Sequence, residues 1–126
     1  MNRNGILNRP LVSVIDDDES VRESLEDLLK ELGYVPKTFA SGPEFLASGY
    51  ESQSKCLIID ISMPGMSGPE LYQELITRGR KIPVIFITAH ESAMRPRLLH
   101  QGAVECLAKP FTDTALLDAL KAAISE

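Results

Sequence analysis

Five polar residues stand where apolar runs stop. Asp16 and Asp17 follow Leu11–Ile15, Asp60 follows Leu57-Ile58-Ile59, Thr88 follows Ile82–Ile87, and Lys109 follows Val104–Ala108. Together they supply three carboxylates, a hydroxyl and an ammonium. If they converge, the carboxylates repel: two of them about 4 Å apart cost roughly 4 kcal/mol at an effective dielectric of 20. A hard divalent cation with oxygen ligands is the natural counterweight, and Lys109 offsets part of the charge. Each residue also has a plainer explanation. The run Asp16–Glu19 suits the positive end of a helix dipole, and strands often end in Asp. The question is whether the fold brings the five together.

The stretch from Leu57 to Gly68 is the strongest guide. Three apolar residues in a row, without alternation, fit a strand covered on both faces, as in a parallel sheet. Pro64, Gly65 and Gly68 then break the backbone. Asp60 is thus presented at the carboxyl end of a buried strand, where open α/β sheets bind ligands.

The other elements follow the same alternation. Leu11–Ile15 reads as a first strand. A helix follows, with Val21, Leu25, Leu28, Leu29 and Leu32 on one face and Gly33 as its stop. Asp17 or Asp18 could cap it, while Ser20 with Glu23 has the spacing of a capping box. Residues 34–39 form a strand that Pro36 places at a sheet edge. Ser41–Ser48 is a short helix with Phe45 and Leu46 inward, and Gly49–Lys55 a polar loop. After the strand Cys56–Asp60, a helix spans Glu70–Thr77 with Leu71, Leu75 and Ile76 as its apolar face. Residues 82–87 make the fourth strand. A helix beginning near Arg95 carries Leu98 and Leu99 inward, because Pro96 fits only a first turn. Val104–Ala108 is the fifth strand. A last helix, starting at Thr112 or Asp113, carries Leu116, Leu117, Leu120 and Ile124. Strand and helix alternating at this spacing imply a parallel sheet with helices on both faces and right-handed crossovers.

Composition narrows the function. The chain has 126 residues, 44% hydrophobic and 25% charged, with a net charge of -5. That length suits one domain with a sufficient core. The negative charge argues against a general nucleic-acid surface. Cys56 and Cys106 lack metal-ligand spacing and read as small core residues in a reducing compartment. Met1–Pro10 is polar, with no secretory apolar region, and no apolar run approaches membrane-span length. These features predict a cytoplasmic protein.

The sequence resembles the receiver domains of bacterial two-component response regulators. The resemblance covers about residues 10–125 and rests on Val14-Ile15-Asp16-Asp17, on Asp60-Ile61-Ser62-Met63-Pro64-Gly65-Met66-Ser67-Gly68, on Ile87-Thr88-Ala89 and on Lys109-Pro110-Phe111. It is most similar to receivers of the FixJ/NarL-type subgroup, which usually carry a carboxyl-terminal helix-turn-helix DNA-binding domain. No such output domain is expected in this chain, read as a single receiver over residues 1–126. The resemblance implies a CheY-like, flavodoxin-like sheet of order 2-1-3-4-5. It implies Asp60 as phospho-acceptor and Mg²⁺ held by Asp17, Asp60 and the backbone carbonyl of Ser62, with Asp16 acting through water. Thr88 and Lys109 would contact phosphoryl oxygens, Ser62 and His90 would tune dephosphorylation, and Lys109-Pro110 would be cis. The implied partners are a histidine kinase or histidine phosphotransfer protein and a downstream protein met by helix 4, strand 5 and helix 5. The resemblance also admits a phosphorylation-dependent homodimer. It implies no membrane partner and no nucleic acid bound by this domain.

Two departures stand out. The Thr88–Lys109 segment is about one residue shorter than the family's and contains Pro96. Cys106 stands three before the lysine, where the family commonly has Tyr or Phe, so displacement of Thr88 and of residues 89–94 is expected to carry the switch. Arg95, Arg97 and His100 read as a solvated helix face, and Met63 and Met66 as packing. Two other functions compete. A haloacid-dehalogenase-type phosphatase would also use an aspartyl-phosphate, but Ser62 stands where its second Asp should be. An interaction module that has lost phosphorylation would not need all five site residues.

Overall fold

The computed structural model describes residues 9–90 and 93–124. Its elements are β1 (Leu11–Ile15), α1 (Glu19–Glu31), β2 (Val35–Phe39), α2 (Gly42–Ala47), β3 (Cys56–Asp60), α3 (Gly68–Thr77), β4 (Val84–Thr88), α4 (Arg95–Gln101), β5 (Glu105–Ala108) and α5 (Asp113–Ala123). The five strands form one parallel sheet of order β2-β1-β3-β4-β5. This is the CheY-like α/β fold. Pro36 lies on the edge strand β2, where its missing N–H breaks no inner ladder.

The unalternating strands are explained by two separate cores. Ile15, Leu57, Ile59, Val84, Phe86 and Cys106 point to one face, against Phe45, Leu71, Leu75 and Leu98. Val12, Val14, Cys56, Ile58, Ile85 and Ile87 point to the other, against Leu25, Leu29, Leu116 and Leu120. Successive strand residues therefore both meet helices. Full burial of each such side chain stabilises the fold by about 1.5–3 kcal/mol, and this fixes the inner strands in register. A strand slipped by one residue would exchange every side chain between the two faces.

Several local expectations need correction. Asp18, rather than Ser20 or Asp17, caps α1, accepting from the N–H groups of Ser20 and Val21 at 2.8 and 3.3 Å. Helix α3 starts at Gly68 rather than Glu70, because Ser67 and Glu70 form a reciprocal capping box. Ile76, assigned to the apolar face of α3, is 42% exposed: Leu71 and Leu75 fill that face while Ile76 turns outward. The segment read as a polar loop contains a short 3₁₀ turn over Tyr50–Ser52. There the buried Glu51 accepts from Arg78 at 2.9 Å and from Arg80 at 3.2 Å. β2, β4 and β5 begin one or two residues later than the apolar runs suggest.

Candidate functional site: an acidic cluster at the strand ends

In this strand order the chain winds outward in both directions from β1 and β3, which lie side by side. Their carboxyl ends form the topological switch point, the crevice where such sheets bind ligands. Asp16 and Asp17 leave β1 there and Asp60 ends β3. Carboxylate oxygens of all three lie within 4.8 Å of one another. Asp16 and Asp60 are buried and Asp17 is exposed. Lys109 follows β5 and reaches across the sheet edge, its Nζ 3.3 Å from Asp16 Oδ2 and 3.8 Å from Asp60 Oδ1. The sequence placed Lys109 among the three carboxylates, and the structure adds that it lies closer to Asp16 than to Asp60.

Asp16 is held at four points. Its N–H donates to the Phe39 carbonyl at 3.1 Å, its Oδ1 accepts from the N–H of Asp18 at 2.8 Å, Lys109 meets Oδ2, and Arg22 donates to its backbone carbonyl at 2.8 Å. Asp60 is positioned differently, by the strand itself and by the loop that returns beneath it. Gly68 donates its N–H to the Ile61 carbonyl at 2.9 Å. A β-carbon at Gly68 would run into the Asp60 carbonyl oxygen and lie 3.0 Å from Ile61 Cα. Only a residue without a side chain lets α3 start this close to the end of β3.

The charge balance is unfinished. Burial, and then the charge of Asp16, push the Asp60 carboxyl up from an ordinary 3.8 to about 6. Asp17 adds to this, while Lys109 and the backbone N–H of Ser62 oppose it. Three carboxylates against one ammonium leave net negative charge in a partly buried space. An all-oxygen donor set of that kind fits a hard cation such as Mg²⁺.

Thr88 is buried at the end of β4, one residue beyond Ile87, which pairs with Asp60. Its Oγ1 accepts from the His90 N–H at 3.4 Å, and its carbonyl accepts from the Lys109 N–H at 2.7 Å. Thr88 thus belongs to the same sheet edge. Ser62 and His90 are exposed residues flanking it. Met63 is buried in the core and Met66 packs against that core. The Lys109-Pro110 peptide is cis, as expected. Residues 91 and 92 of the segment after Thr88 lie outside the described residues.

Cys106 is buried among Phe86 and Leu98 on the α3–α4 side of the sheet. Arg95, assigned to a solvated face, instead braces α4 against β5. It donates to Glu105 Oε1 at 2.7 Å and to the Cys106 carbonyl at 3.3 Å. No apolar pattern signals that brace, whose partners lie ten and eleven residues along the chain, nor the bond of Arg22 to the Asp16 backbone carbonyl. The Ser67-Gly68-Pro69-Glu70 capping box was legible by spacing and escaped the sequence reading.

A doubly wound domain whose strand ends gather three carboxylates has the donor set of a hard-cation site. Comparison with known proteins gives the family: residues 12–121 match the response regulator receiver domain, and the chain belongs to it. It is a family of signalling domains rather than of conventional enzymes. Nodulation protein W of Bradyrhizobium diazoefficiens is 40% identical over 116 residues, covering 91% of this chain and 51% of that protein. Transcriptional regulatory protein FixJ of Azorhizobium caulinodans is 40% identical over 114 residues, covering 90% and 54%. The chain therefore spans about half the length of these curated relatives, and it falls in the FixJ/NarL-type subgroup of receivers. The solved structure of TrrA from Thermotoga maritima, in complex with Mg²⁺ and BeF, is similar at a TM-score of 0.80 and 32% identity, covering 90% of this chain and 98% of that one. Among the described residues, no helix is long and apolar enough to cross a membrane.

Proposed function

We propose that this domain is a phosphorylation-dependent signalling switch in which Asp60 accepts a phosphoryl group from a histidine kinase or a histidine phosphotransfer protein. The observation that carries it is the convergence of Asp16, Asp17 and Asp60 with Lys109 at the switch point of the sheet. In the transfer an Asp60 carboxylate oxygen forms a bond to phosphorus. The phosphorus–nitrogen bond of the donor breaks, and the imidazole takes up a proton. The carboxylate is a weak nucleophile, so positioning and charge neutralisation supply most of the rate. β3 holds Asp60 rigidly, and the Lys109 ammonium faces the oxygens that gain charge.

Asp17, Asp60 and the backbone carbonyl of Ser62 would hold Mg²⁺, with Asp16 oriented behind them; TrrA, which takes Mg²⁺ together with BeF, supports this assignment by similarity. Bound there, Mg²⁺ would neutralise phosphoryl charge and orient the incoming group. The Thr88 hydroxyl would meet the phosphoryl group and draw the following loop toward it. The face formed by α4, β5 and α5 would then change its affinity for a downstream protein, or for a second copy of this chain. Ser62 and His90 flank the site and would set the lifetime of the phosphoryl group. Residues 10–125 would act as one receiver unit in the cytoplasm.

Phosphotransfer tests the partner class. A phosphorylated histidine phosphotransfer protein should lose label to this chain with Mg²⁺ and not with a chelator. Turnover of a small phosphate ester above background would instead favour a phosphatase. Substitution of Ser62 or His90 by Ala should change the decay of the phosphorylated form, and identical decay in both would remove them from that role.

A further inference from the structure

We infer that Arg22 is a positioning residue for the cation site, holding the turn from which Asp17 is presented. The inference rests on the reading of Asp17 and Asp60 as cation ligands. Arg22 lies in the first turns of α1, beside an acidic stretch that runs from Asp16 to Glu19. Among the described residues its guanidinium makes no ion pair with any of these acids. It donates instead to the backbone carbonyl of Asp16 at 2.8 Å. That carbonyl stands at the end of β1, where the chain leaves the sheet.

The bond completes the restraint of Asp16. Three other contacts fix its N–H and both carboxylate oxygens. The Arg22 bond fixes the one group that belongs to the peptide joining Asp16 to Asp17. Rotation of that peptide would swing the Asp17 carboxylate, which is exposed and, among the described residues, has no restraint of its own comparable to that of Asp16. Partners that orient a metal's ligands typically matter nearly as much as the ligands.

Two effects of removing Arg22 oppose each other, and their signs separate the roles. Loss of a positive charge beside three carboxylates would strengthen their attraction for a divalent cation. Loss of a positioning bond would weaken it. The test is a titration of the full chain with Mg²⁺ alone, read by the amide signals of residues 16–18 and 60–62. Arg22→Ala should raise the half-saturating Mg²⁺ concentration by about tenfold, while the cation-free melting temperature stays close to wild type. Arg22→Lys, which keeps a donor of similar reach, should recover most of the affinity. Unchanged or tighter binding in Arg22→Ala overturns the inference and leaves the proposed function standing. Absence of any Mg²⁺ response in the wild type overturns that function and the inference with it. If Arg22→Ala does not fold, Arg22→Met keeps the apolar stem, loses the donor, and is judged by the same outcomes.

Discussion

The acidic edge and the α4–β5 face are built differently. At the acidic edge every backbone and side-chain polar group of Asp16 is engaged, and Asp60 sits on a fully buried strand with Gly68 packed against its peptide. At the α4–β5 face, α4 is only 7 residues long and has no side-chain N-cap. It is tied to β5 through Arg95, 44% exposed at the side chain, and Glu105, 34% exposed. One end holds charge in a fixed place against repulsion. The other is anchored by the buried Leu98 but tied across its surface by a partly exposed pair, of the kind that contributes little to stability. Buried charge needs rigidity to be worth its cost, whereas switching needs two arrangements of similar energy.

The largest effect should come from the rigid end. Gly68→Ala drives a methyl group into the Asp60 carbonyl and should destabilise the fold by about 3 kcal/mol. Urea unfolding measures this, and a loss below about 1 kcal/mol would mean that the loop yields easily. Lys109→Ala leaves the fully buried Asp16 without its cation, while Lys109 itself is 25% exposed at the side chain. We expect a loss of about 2 kcal/mol without divalent cation, partly restored by Mg²⁺. Phosphorylation should persist in this variant without its amide shifts in α4 and β5. A full wild-type set of shifts would show that Lys109 does not couple the two ends.

Protonation sharpens the same contrast. The Asp60 carboxyl is raised from 3.8 to about 6 in the folded protein. Between those values the folded state binds more protons than the unfolded one, so Asp60 lowers stability progressively as pH rises through that window. The charged carboxylate is thus a net cost above it. Asp60→Asn should therefore stabilise the cation-free protein by about 1–2 kcal/mol at pH 7 and by almost nothing near pH 3. A stabilisation independent of pH would assign the effect to something other than the charge.

The smallest effects belong to the α4–β5 face. Arg95→Ala removes a partly exposed pair and should cost less than about 1 kcal/mol, yet broaden or shift the α4 amide signals of the resting protein. Cys106 pairs with Phe86, two residues before Thr88, and is a small side chain with little volume to block or fill space, so Cys106→Ala should leave the phosphorylation-linked shifts near normal. If that variant loses the α4 shifts while Asp60 is still modified, Cys106 is itself part of the switch.

What the sequence made legible follows from what leaves a pattern. The two-faced burial of Leu57-Ile58-Ile59 marks β3 as an inner strand, and strand–helix alternation sets the strand ends at one edge. Asp16, Asp17, Asp60, Thr88 and Lys109 could therefore be placed together before any coordinates. Their pairing could not: Lys109 lies nearer Asp16 than Asp60 by 0.5 Å, the difference between 3.8 and 3.3 Å, a matter of side-chain reach rather than of periodicity. Ile76 is apolar and close to the helical stripe, and only the width of the α3 contact turns it out to solvent. Glu51, Arg22 and Arg95 are polar residues whose partners lie far along the chain or on its backbone, so no local spacing reveals them.

The proposed role of the acidic edge is to carry a phosphoryl group on Asp60. Intact mass after incubation with acetyl phosphate and Mg²⁺ tests it most directly. A single phosphoryl adduct that disappears with chelator and in Asp60→Asn is the predicted result. An unmodified wild-type mass, or an adduct that survives in Asp60→Asn, would contradict it.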